Sequence, residues 1–415
     1  CACAPAPDGR PALWLRRQPV PRLLAAAAAL RLGLIAVAEV QDAFAEVPYT
    51  DVDYRVFLEA AESVALGQSP YSERTPLLRA EATKYRYTPL LAYVLLPSVW
   101  LHPVWGKLLF SALDLLAARL LQEWLEAYCG GDELAVRLGL CLWLFNPFCF
   151  TISTRGSGES LVVVLLYGCF VALHLRRNLP VAAGLFGLAT HWRVFPIVYA
   201  LPIAASLAGE DSRGVFRLVH RQSVTFGAIS ISVILALAGV FTAMYGLSFL
   251  QNAYLYHRHR LDPQHNFSVY FYPTALHLEV GLPNLARFAL LPQAALCAWL
   301  GLAEARRGPG VAPLLQTVAF VATNKVLTAQ YFVWWWAMLP LALPWLAPRR
   351  PPTRALLLWA AAEVHWLLWA YLLEFRGFPV RPAVWGASCL LLAAHLRVLA
   401  ALRAAARLGG ATKNQ

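Results

Sequence analysis

Two aspartates stand close together just after the first long apolar segment of this chain. Asp51 and Asp53 lie in the stretch YTDVDY, in a sequence that holds few acids among many apolar residues. A carboxylate can take a proton from a hydroxyl group, so one aspartate can act as a general base while the other orients a ligand or tunes its neighbour's pKa. The alternative is structural, because aspartates commonly occupy turns and helix N-caps. The pair is a candidate catalytic site, with helix capping as the competing interpretation.

The composition indicates what kind of scaffold carries these acids. The chain has 415 residues, of which 59% are hydrophobic and 14% charged, and its mean hydropathy is +0.53. Soluble domains have roughly 45–50% apolar and about 25% charged residues, so the composition predicts an all-α polytopic membrane protein. The net charge of +12 comes from arginine clusters between apolar segments. That is the positive-inside pattern, and it argues against a nucleic-acid partner.

About twelve apolar segments are candidates for helices that cross a bilayer. They lie at 23–45, 104–123, 134–152, 157–175, 180–193, 195–208, 222–245, 276–303, 311–328, 331–347, 355–373 and 383–403. A short run at 89–101 is a candidate for a segment that dips into the membrane without crossing it. Pro196 is the place where 180–208 can be one kinked helix instead of two.

These segments predict a single membrane domain. It comprises residues 23–403, between a disordered N-terminal tail at 1–22 and a basic cytosolic C-terminal tail at 404–415, and its long first luminal loop covers about 46–103. With the basic clusters in the cytosol, the other side of the membrane collects much of the polar and aromatic chemistry. Charges at membrane depth usually line a cavity or pair with one another, so we expect a site for a ligand that is part lipid and part polar.

Six motifs in sequence resemble one known family. They are YTDVDY, KYRYTPLL (84–91), GKLLFSALDLL (106–116), NPF followed by STRGSGES (153–160), LYHRHRLDPQHNFSVYFY (255–272) and NKVLTAQYFVWW (324–335). Taken in order, from about residue 48 to 347, they resemble the PIG-M family of GT-C glycosyltransferases. The resemblance implies a GT-C fold with about 12 transmembrane helices and an enzyme of the endoplasmic reticulum membrane whose active site faces the lumen.

The resemblance also implies the reaction. Members of this family use dolichyl-phosphate-mannose to place the first mannose, α1,4-linked, on glucosaminyl-phosphatidylinositol in the biosynthesis of GPI anchors. A β-linked donor and an α-linked product imply inversion by a single displacement, with Asp51 or Asp53 as the general base and Asp51 slightly favoured. A PIG-X/Pbn1-like small membrane subunit is the implied partner. No cofactor is required by this scheme, and a divalent metal is possible but not favoured.

The leaving group in this scheme is a phosphate, for which cations are the suitable ligands. The candidates for binding the donor phosphate are Arg155, Arg193, His257, Arg260 and Lys325. The competing interpretation of each, and of Arg258, is an interfacial anchor that reaches the lipid headgroups.

A second group of polar residues is a candidate for binding the acceptor or the sugar. It consists of Glu159, His191, His265, Asn266, Gln330 and Tyr331. Glu159 stands at the head of an apolar helix, where Ser157 is a plausible cap, and His191 fits a satisfied core histidine equally well. Asn266 also begins an N-glycosylation sequon. The three tryptophans at 334–336 fit an aromatic belt at the membrane interface better than a sugar platform.

Two other classes of function are compatible with parts of this pattern. Another dolichol-phosphate-sugar-dependent GT-C transferase, of N-glycan assembly, has a similar first-loop acid and differs in its acceptor. A polytopic transporter has a similar number of spans, but it typically shows paired repeats and broken helices near the midplane, which this sequence lacks. A structural scaffold has little need for acids and histidines gathered on one side.

Overall fold

The computed structural model describes residues 14–72, 85–208, 218–256, 260, 266–347 and 352–413, with side chains to residue 409. Throughout these residues the regular structure is helical. The α-helices of five residues or more are α1 Val20–Phe44, α2 Val52–Ala65, α3 Pro89–Val94, α4 Leu96–Trp100, α5 Trp105–Tyr128, α6 Glu133–Leu144, α7 Pro147–Thr154, α8 Glu159–His174, α9 Leu179–Trp192, α10 Ala200–Leu207, α11 Arg221–Tyr245, α12 Phe271–Val280, α13 Leu290–Glu304, α14 Val311–Thr323, α15 Phe332–Ala342, α16 Thr353–Glu374 and α17 Arg381–Lys413. A π-helical turn, Leu250–Leu255, follows α11, and short 3-10 helices lie at Phe195–Tyr199, Leu285–Phe288, Ala329–Tyr331 and Leu343–Trp345.

Polar caps and prolines begin several of these helices. Thr88 caps α3 and Asp132 caps α6, each accepting hydrogen bonds from backbone N–H groups of the first turn. Asn146 caps α7 and is followed by Pro147 at the first helical position, where proline lacks only a donor that would be unpaired in any case. Local chemistry therefore divides long apolar stretches into separate helices.

The described residues divide into two compact units. The first unit comprises 14–197 and 221–256, and the second comprises 198–208, 218–220, 260 and 266–413. The first is built around α8, most of whose residues are buried, with α5 and α9 packed against it and α11 against α9. The second is built around α14, which is buried on all sides by α13, α15 and α17. Helices that are apolar all round belong in such central positions.

Among the described residues, five helical segments are long and apolar enough to cross a membrane. They are α1, α11, 285–304, α16 and the first 29 residues of α17; α6 and α7, bent by 43°, make a sixth if they form one broken span. The chain is thus an all-helical polytopic membrane protein, as the composition predicts. The count of about twelve spans stays a prediction.

The predicted span 276–303 is wrong as a single helix. The segment 276–303 is divided into α12, a 3-10 turn and α13. Gly281 ends α12 in the left-handed conformation, with φ +74°, and Pro283 follows in the interruption. Glycine tolerates this conformation and proline cannot continue the hydrogen-bond ladder, so the helix stops although the sequence remains apolar.

The end of the chain continues α17 further than the predicted tail boundary. The helix extends to Lys413, and the Ala347 backbone N–H donates to the Ala405 carbonyl at 3.1 Å. A side chain at Gly409 would collide with the backbone carbonyl of Trp345. Residues 404–409 therefore pack against the end of the 3-10 helix Leu343–Trp345; their side of the membrane stays a prediction.

Tyr54 of α2 is enclosed between two glycines of the first unit. A Cβ at Gly106 would lie 2.5 Å from the Tyr54 hydroxyl, and a Cβ at Gly156 would lie 2.4 Å from its ring. The hydroxyl donates to the Pro103 carbonyl and accepts from the Gly106 backbone N–H at 3.1 Å. These close approaches fix α2, which begins at the predicted acids, against α5 and against the turn between α7 and α8.

Candidate active site

Asp51 begins α2 as its N-cap. Its Oδ1 accepts a hydrogen bond from the backbone N–H of Asp53 at 3.1 Å. Capping satisfies a helix donor that otherwise has no partner, so the structural interpretation accounts for one of the two carboxylate oxygens. The other, Oδ2, lies 3.8 Å from Nη2 of Arg155, and the Asp51 side chain is 20% exposed. One oxygen belongs to the helix and the other faces a cation.

Asp53 is held by a tyrosine. The Tyr87 hydroxyl donates to Oδ2 of Asp53 at 2.8 Å, and the Tyr87 ring packs edge-on against Phe57. The guanidinium of Arg193 lies over the same ring, 4.6 Å from its centroid, in a cation–π contact. The sequence prediction gave Tyr87 no role; its only signal was its place in the motif KYRYTPLL. Tyr87 therefore links an acid of the first loop to a cation at the end of α9.

Glu159 and Arg193 form a buried ion pair. Nη2 of Arg193 lies 2.7 Å from Oε1 of Glu159, and the two side chains are 17% and 1% exposed. The pair joins the first residue of α8 to the residue that ends α9. The N-cap of α8 is Gly158 with no side-chain cap, so the prediction that Ser157 caps it is wrong. Glu159 already has a cation beside it, which reduces what either member can offer to a ligand.

Arg155 is the more accessible of the two predicted phosphate ligands in this unit. It follows α7, its carbonyl accepts from the Asp51 backbone N–H at 3.1 Å, and its side chain is 41% exposed. Gly156 next in sequence has φ +95° and lies against Tyr54, so the turn to α8 requires a glycine. Together, Asp51, Asp53, Arg155, Glu159 and Arg193 form a connected group that we call the acid site.

The pKa of Asp51 is raised by its surroundings. Burial is the largest cause, because it disfavours the charged form, and the charge of Asp53 adds to it. Arg155 and the backbone hydrogen bonds of the α2 N-terminus act in the opposite direction and offset part of the rise. A carboxylate with a raised pKa is a better proton acceptor than an ordinary aspartate, which suits a general base.

His191 fits the core interpretation better than the site interpretation. Nε2 lies 2.7 Å from Oγ1 of Thr88, and Nδ1 lies 2.8 Å from the Tyr254 hydroxyl. The residue is 2% exposed, and its ring stacks on Phe241 with centroids 5.7 Å apart. Both ring nitrogens have partners, so His191 supports the packing beneath the motif KYRYTPLL and has no nitrogen left for a ligand.

In the second unit, Asn266 holds two segments together. Its Nδ2 donates to the Lys325 carbonyl at 3.0 Å, and its Oδ1 accepts from the backbone N–H groups of Ser268 and Leu327. The Phe267 backbone N–H donates to the Leu327 carbonyl, and Asn266 is 3% exposed. The asparagine therefore connects the motifs HNFS and NKVL, and both its amide nitrogen and its amide oxygen already form hydrogen bonds within the protein.

Lys325 and Arg260 bring positive charge to the same segment. Burial and then the charge of Arg260 lower the pKa of Lys325. Within the described part of the chain, no carboxylate forms an ion pair with Lys325. We call residues 324–328 the lysine turn. A cation that is partly buried beside another cation is stabilised by an anion, so this turn is suited to a phosphate group.

The residues after the lysine turn are aromatic and largely packed. Tyr331 stacks on Trp334 with centroids 4.4 Å apart, and Gln330 lies partly buried in the same 3-10 turn. Trp334 and Trp335 are 7% and 0% exposed. The prediction that these two tryptophans form an interfacial belt is wrong, because they lie in the core of the second unit instead.

Two predicted site residues, His257 and His265, lie outside the described residues, as does Arg258. Among the residues that the structure does describe, no three His, Cys, Asp or Glu side chains form a group that could hold a metal ion. Whether the protein needs a metal stays a prediction.

Two family models match this chain. The model described as Mannosyltransferase (PIG-M) matches residues 152–402, and the model described as GPI transamidase subunit PIG-U matches residues 25–273. The PIG-M match begins just before Arg155 and leaves out Asp51 and Asp53, whereas the PIG-U match covers all five residues of the acid site. Whole-chain relatives therefore decide between the two.

Relatives named as mannosyltransferases match this chain over nearly their whole length. The chain is 40% identical over 383 residues to a protein of Danio rerio named GPI alpha-1,4-mannosyltransferase I, catalytic subunit, covering 91% of this chain and 95% of the relative. It is 39% identical over 385 residues to GPI mannosyltransferase 1 of Gibberella zeae, with 86% and 88% covered, and 34% identical over 388 residues to that of Saccharomyces cerevisiae, with 89% and 91% covered. The chain therefore belongs to the PIG-M family of mannosyltransferases.

Proposed function

We propose that this mannosyltransferase transfers mannose from dolichyl-phosphate-mannose to the glucosamine of glucosaminyl-phosphatidylinositol, forming an α1,4 linkage in GPI-anchor biosynthesis. The name of the Danio rerio relative gives the linkage, and the observation that carries the proposal in this chain is the pair Asp51 and Asp53 at the start of α2. One acid is fixed by the helix N-terminus and the other by a tyrosine hydroxyl. Such fixed carboxylates suit the activation of a sugar hydroxyl.

Asp51 is the general base in this proposal. The acceptor hydroxyl is a weak nucleophile until its proton is removed, and inversion requires that the removal accompany a single displacement. The raised pKa of Asp51 favours proton uptake, and its Oδ2 is the oxygen not used by the helix cap. Asp53, which accepts a hydrogen bond from the Tyr87 hydroxyl, orients the acceptor or tunes the pKa of Asp51.

Lys325 and Arg260 bind the donor phosphate in this proposal. The leaving group is a lipid phosphate that already carries charge, so it needs cations more than it needs a proton donor. The lowered pKa of Lys325 reflects burial and a like charge, which a bound phosphate would relieve. Protein cations can neutralise this group, so the reaction as proposed requires no metal ion.

The remaining proposals concern the membrane, the topology and the partner of the protein. We place the chain in the endoplasmic reticulum membrane, with a GT-C fold of about twelve spans, a long first luminal loop and the acid site facing the lumen. The word "subunit" in the name of the Danio rerio relative supports a partner, which we propose is a PIG-X/Pbn1-like small membrane protein.

A substrate matrix tests the proposed function. Membranes containing this chain and the partner are supplied with labelled dolichyl-phosphate-mannose or dolichyl-phosphate-glucose, and with glucosaminyl-phosphatidylinositol or a lipid-linked oligosaccharide. We expect label only from the mannose donor and only on the glucosaminyl lipid, in a product that α-mannosidase digests. Membranes with Asp51→Asn serve as the background. Transfer to the oligosaccharide alone would instead assign the enzyme to N-glycan assembly, and transfer to neither would overturn the proposal.

A further inference from the structure

The backbone that leads into Asp51 is fastened to the end of α1 by one carboxylate. Oδ1 of Asp42 accepts hydrogen bonds from the backbone N–H groups of Tyr49 at 2.6 Å and Thr50 at 3.0 Å. Oδ2 of Asp42 accepts a hydrogen bond from the Thr50 hydroxyl, and Thr50 is 8% exposed. Three hydrogen bonds from two consecutive residues restrict this backbone strongly, and Asp51 is the next residue.

A buried lysine stands behind this carboxylate. Lys107, in the first turn of α5, is 3% exposed, and its Nζ lies 2.7 Å from Oε1 of Glu39 and 3.6 Å from Oδ2 of Asp42. A buried ammonium is costly unless it is paired, so Lys107 holds both acids of α1 towards α5. Glu39 is half-exposed and bonds only the lysine among the described contacts, whereas Asp42 bonds the lysine and the loop together.

The same short loop is held from its other side by α7. The Asp51 backbone N–H donates to the Arg155 carbonyl, and the Tyr49 hydroxyl lies 2.8 Å from Oγ1 of Thr154. Residues 49–51 thus lie between the end of α7 and the Asp42–Lys107 pair. The hydrogen bonds and ion pair described for Asp42 do not include the Asp51 carboxylate, so any effect on the reaction must pass through the position of this loop.

We propose that Asp42 and Lys107 are a positioning pair that sets where the Asp51 carboxylate lies. The inference rests on the proposed function, in which Asp51 takes the acceptor proton. A misplacement of about 1 Å in a reacting group can cost about 100-fold in rate. Loss of the pair therefore lowers turnover, while the binding of donor and acceptor, which uses other groups, changes little.

The test compares turnover with apparent affinity in the purified complex of the chain and its partner. Asp42→Asn keeps an oxygen for the backbone N–H groups but loses the charge beside Lys107 and an acceptor for the Thr50 hydroxyl. We expect kcat to fall about 10- to 100-fold, with both apparent KM values within about twofold of wild type. Lys107→Met should give the same pattern, and Lys107→Arg should recover part of the loss because the charge is kept.

Glu39→Gln is the matched control. It removes the other acid from the same lysine and leaves the loop bonds of Asp42 intact, so we expect kcat within about twofold of wild type. Thr50→Val deletes a single hydroxyl of the loop and should give a smaller loss than Asp42→Asn. Thermal unfolding of each purified variant identifies a general loss of stability. If Asp42→Asn does not accumulate in folded form, Thr50→Val and Lys107→Arg decide the matter by the same criteria.

Parallel measurements on Asp51→Asn separate the two proposals. If Asp51→Asn is inactive while Asp42→Asn and Thr50→Val match wild type, the positioning role is wrong and the proposed function stands. If Asp51→Asn turns over normally, the assignment of Asp51 as the base is wrong. An equal loss of kcat in Glu39→Gln and Asp42→Asn would also overturn the inference, because it would trace the effect to the charge of Lys107 and not to the loop.

Discussion

The acid site of the first unit and the lysine turn of the second treat charge in opposite ways. In the acid site, Glu159 is paired with Arg193, and Asp51 faces Arg155. In the lysine turn, Lys325 is partly buried, and burial and then the charge of Arg260, another cation, lower its pKa. In the first arrangement two of the three carboxylates already face a guanidinium without a ligand, whereas in the second a bound anion would offset two like charges.

This difference indicates which kinetic quantity each region controls. A site whose side chains already hold one another can keep its geometry before a substrate arrives, which is the condition for lowering a reaction barrier. With Lys325 as the proposed phosphate ligand, the lysine turn would contribute chiefly to holding the donor. Substitutions in the acid site should therefore change kcat, and substitutions in the lysine turn should change the apparent KM for the donor.

The largest effect is expected at the two aspartates. Asp51→Asn should lower kcat at least about 100-fold, because the amide keeps the helix cap but cannot accept a proton. Asp53→Asn should also remove most activity, by more than about tenfold. Asp132→Asn is the control, since Asp132 is an N-cap of α6 away from the site. Initial rates at saturating donor and acceptor measure this; normal turnover in both aspartate variants would contradict the assignment of the acids.

A smaller effect, on affinity, is expected at the lysine turn. Lys325→Ala should raise the apparent KM for dolichyl-phosphate-mannose about 10- to 100-fold, since hydrogen bonds to charged groups contribute about 1.5–3 kcal/mol. Lys325→Arg should recover part of this, because the charge remains although its geometry differs. The acceptor KM should stay close to wild type. Donor titrations of the three proteins decide the matter, and equal donor affinities would make Lys325 only a membrane anchor.

Removing a cation from the acid site should shift the pH dependence of activity. Arg155 lowers the pKa of Asp51, so Arg155→Gln should raise that pKa further. A base works only when it is deprotonated, so activity is lost as the pH falls through its pKa, and this acidic limb should move to higher pH. Activity at mildly acidic pH should therefore fall several-fold more than activity at neutral pH. If the acidic limb of the pH–rate profile stays in place in Arg155→Gln, Arg155 does not influence the pKa of the catalytic base.

The smallest effect concerns the sequon in HNFS. Asn266 is buried and its amide donates to the Lys325 carbonyl, so it cannot present itself to a glycan-transferring enzyme. Endoglycosidase digestion should leave the electrophoretic mobility of the wild-type chain unchanged. Asn266→Ala should instead destabilise the second unit by about 1–3 kcal/mol, because it leaves buried backbone groups unpaired. A mobility shift on digestion would mean that this segment is accessible in the cell.

Several helices could be predicted closely from apolar composition. The predicted spans 222–245 and 355–373 correspond to Arg221–Tyr245 and Thr353–Glu374, since each is one uninterrupted apolar helix. The span 276–303 was wrong because hydropathy averages over a window and does not detect a left-handed glycine. The 3-10 turn within it follows from backbone geometry that only Gly281 and Pro283 signal.

The candidate site could be predicted by residue type but not by partner. The aspartate pair, Arg155, Glu159 and Arg193 do meet in one unit, but the ion pair of Glu159 with Arg193 joins residues that were assigned to different substrates. Pairings between side chains distant in sequence depend on how the helices pack, and a single sequence taken by itself does not contain that information. For the same reason Tyr87, which holds Asp53, had no predicted role.

The tyrosine between two glycines has a consequence for genetics. Gly106→Ala and Gly156→Ala would each push a methyl group into Tyr54 and displace α2, so both should behave as loss-of-function alleles although neither residue belongs to the acid site. A smaller residue at position 54 would remove the contacts with the tyrosine ring and hydroxyl, while a Leu95 methyl stays 2.8 Å from a Cβ at position 106 and the residue-54 Cβ stays 2.9 Å from one at position 156. Such a residue should therefore arise as a shared but partial second-site suppressor. Suppression should be fuller for Gly106, which is helical, than for Gly156, whose φ of +95° penalises any side chain. Inherited variation at these glycines would then report on the shape of the acid site from a distance.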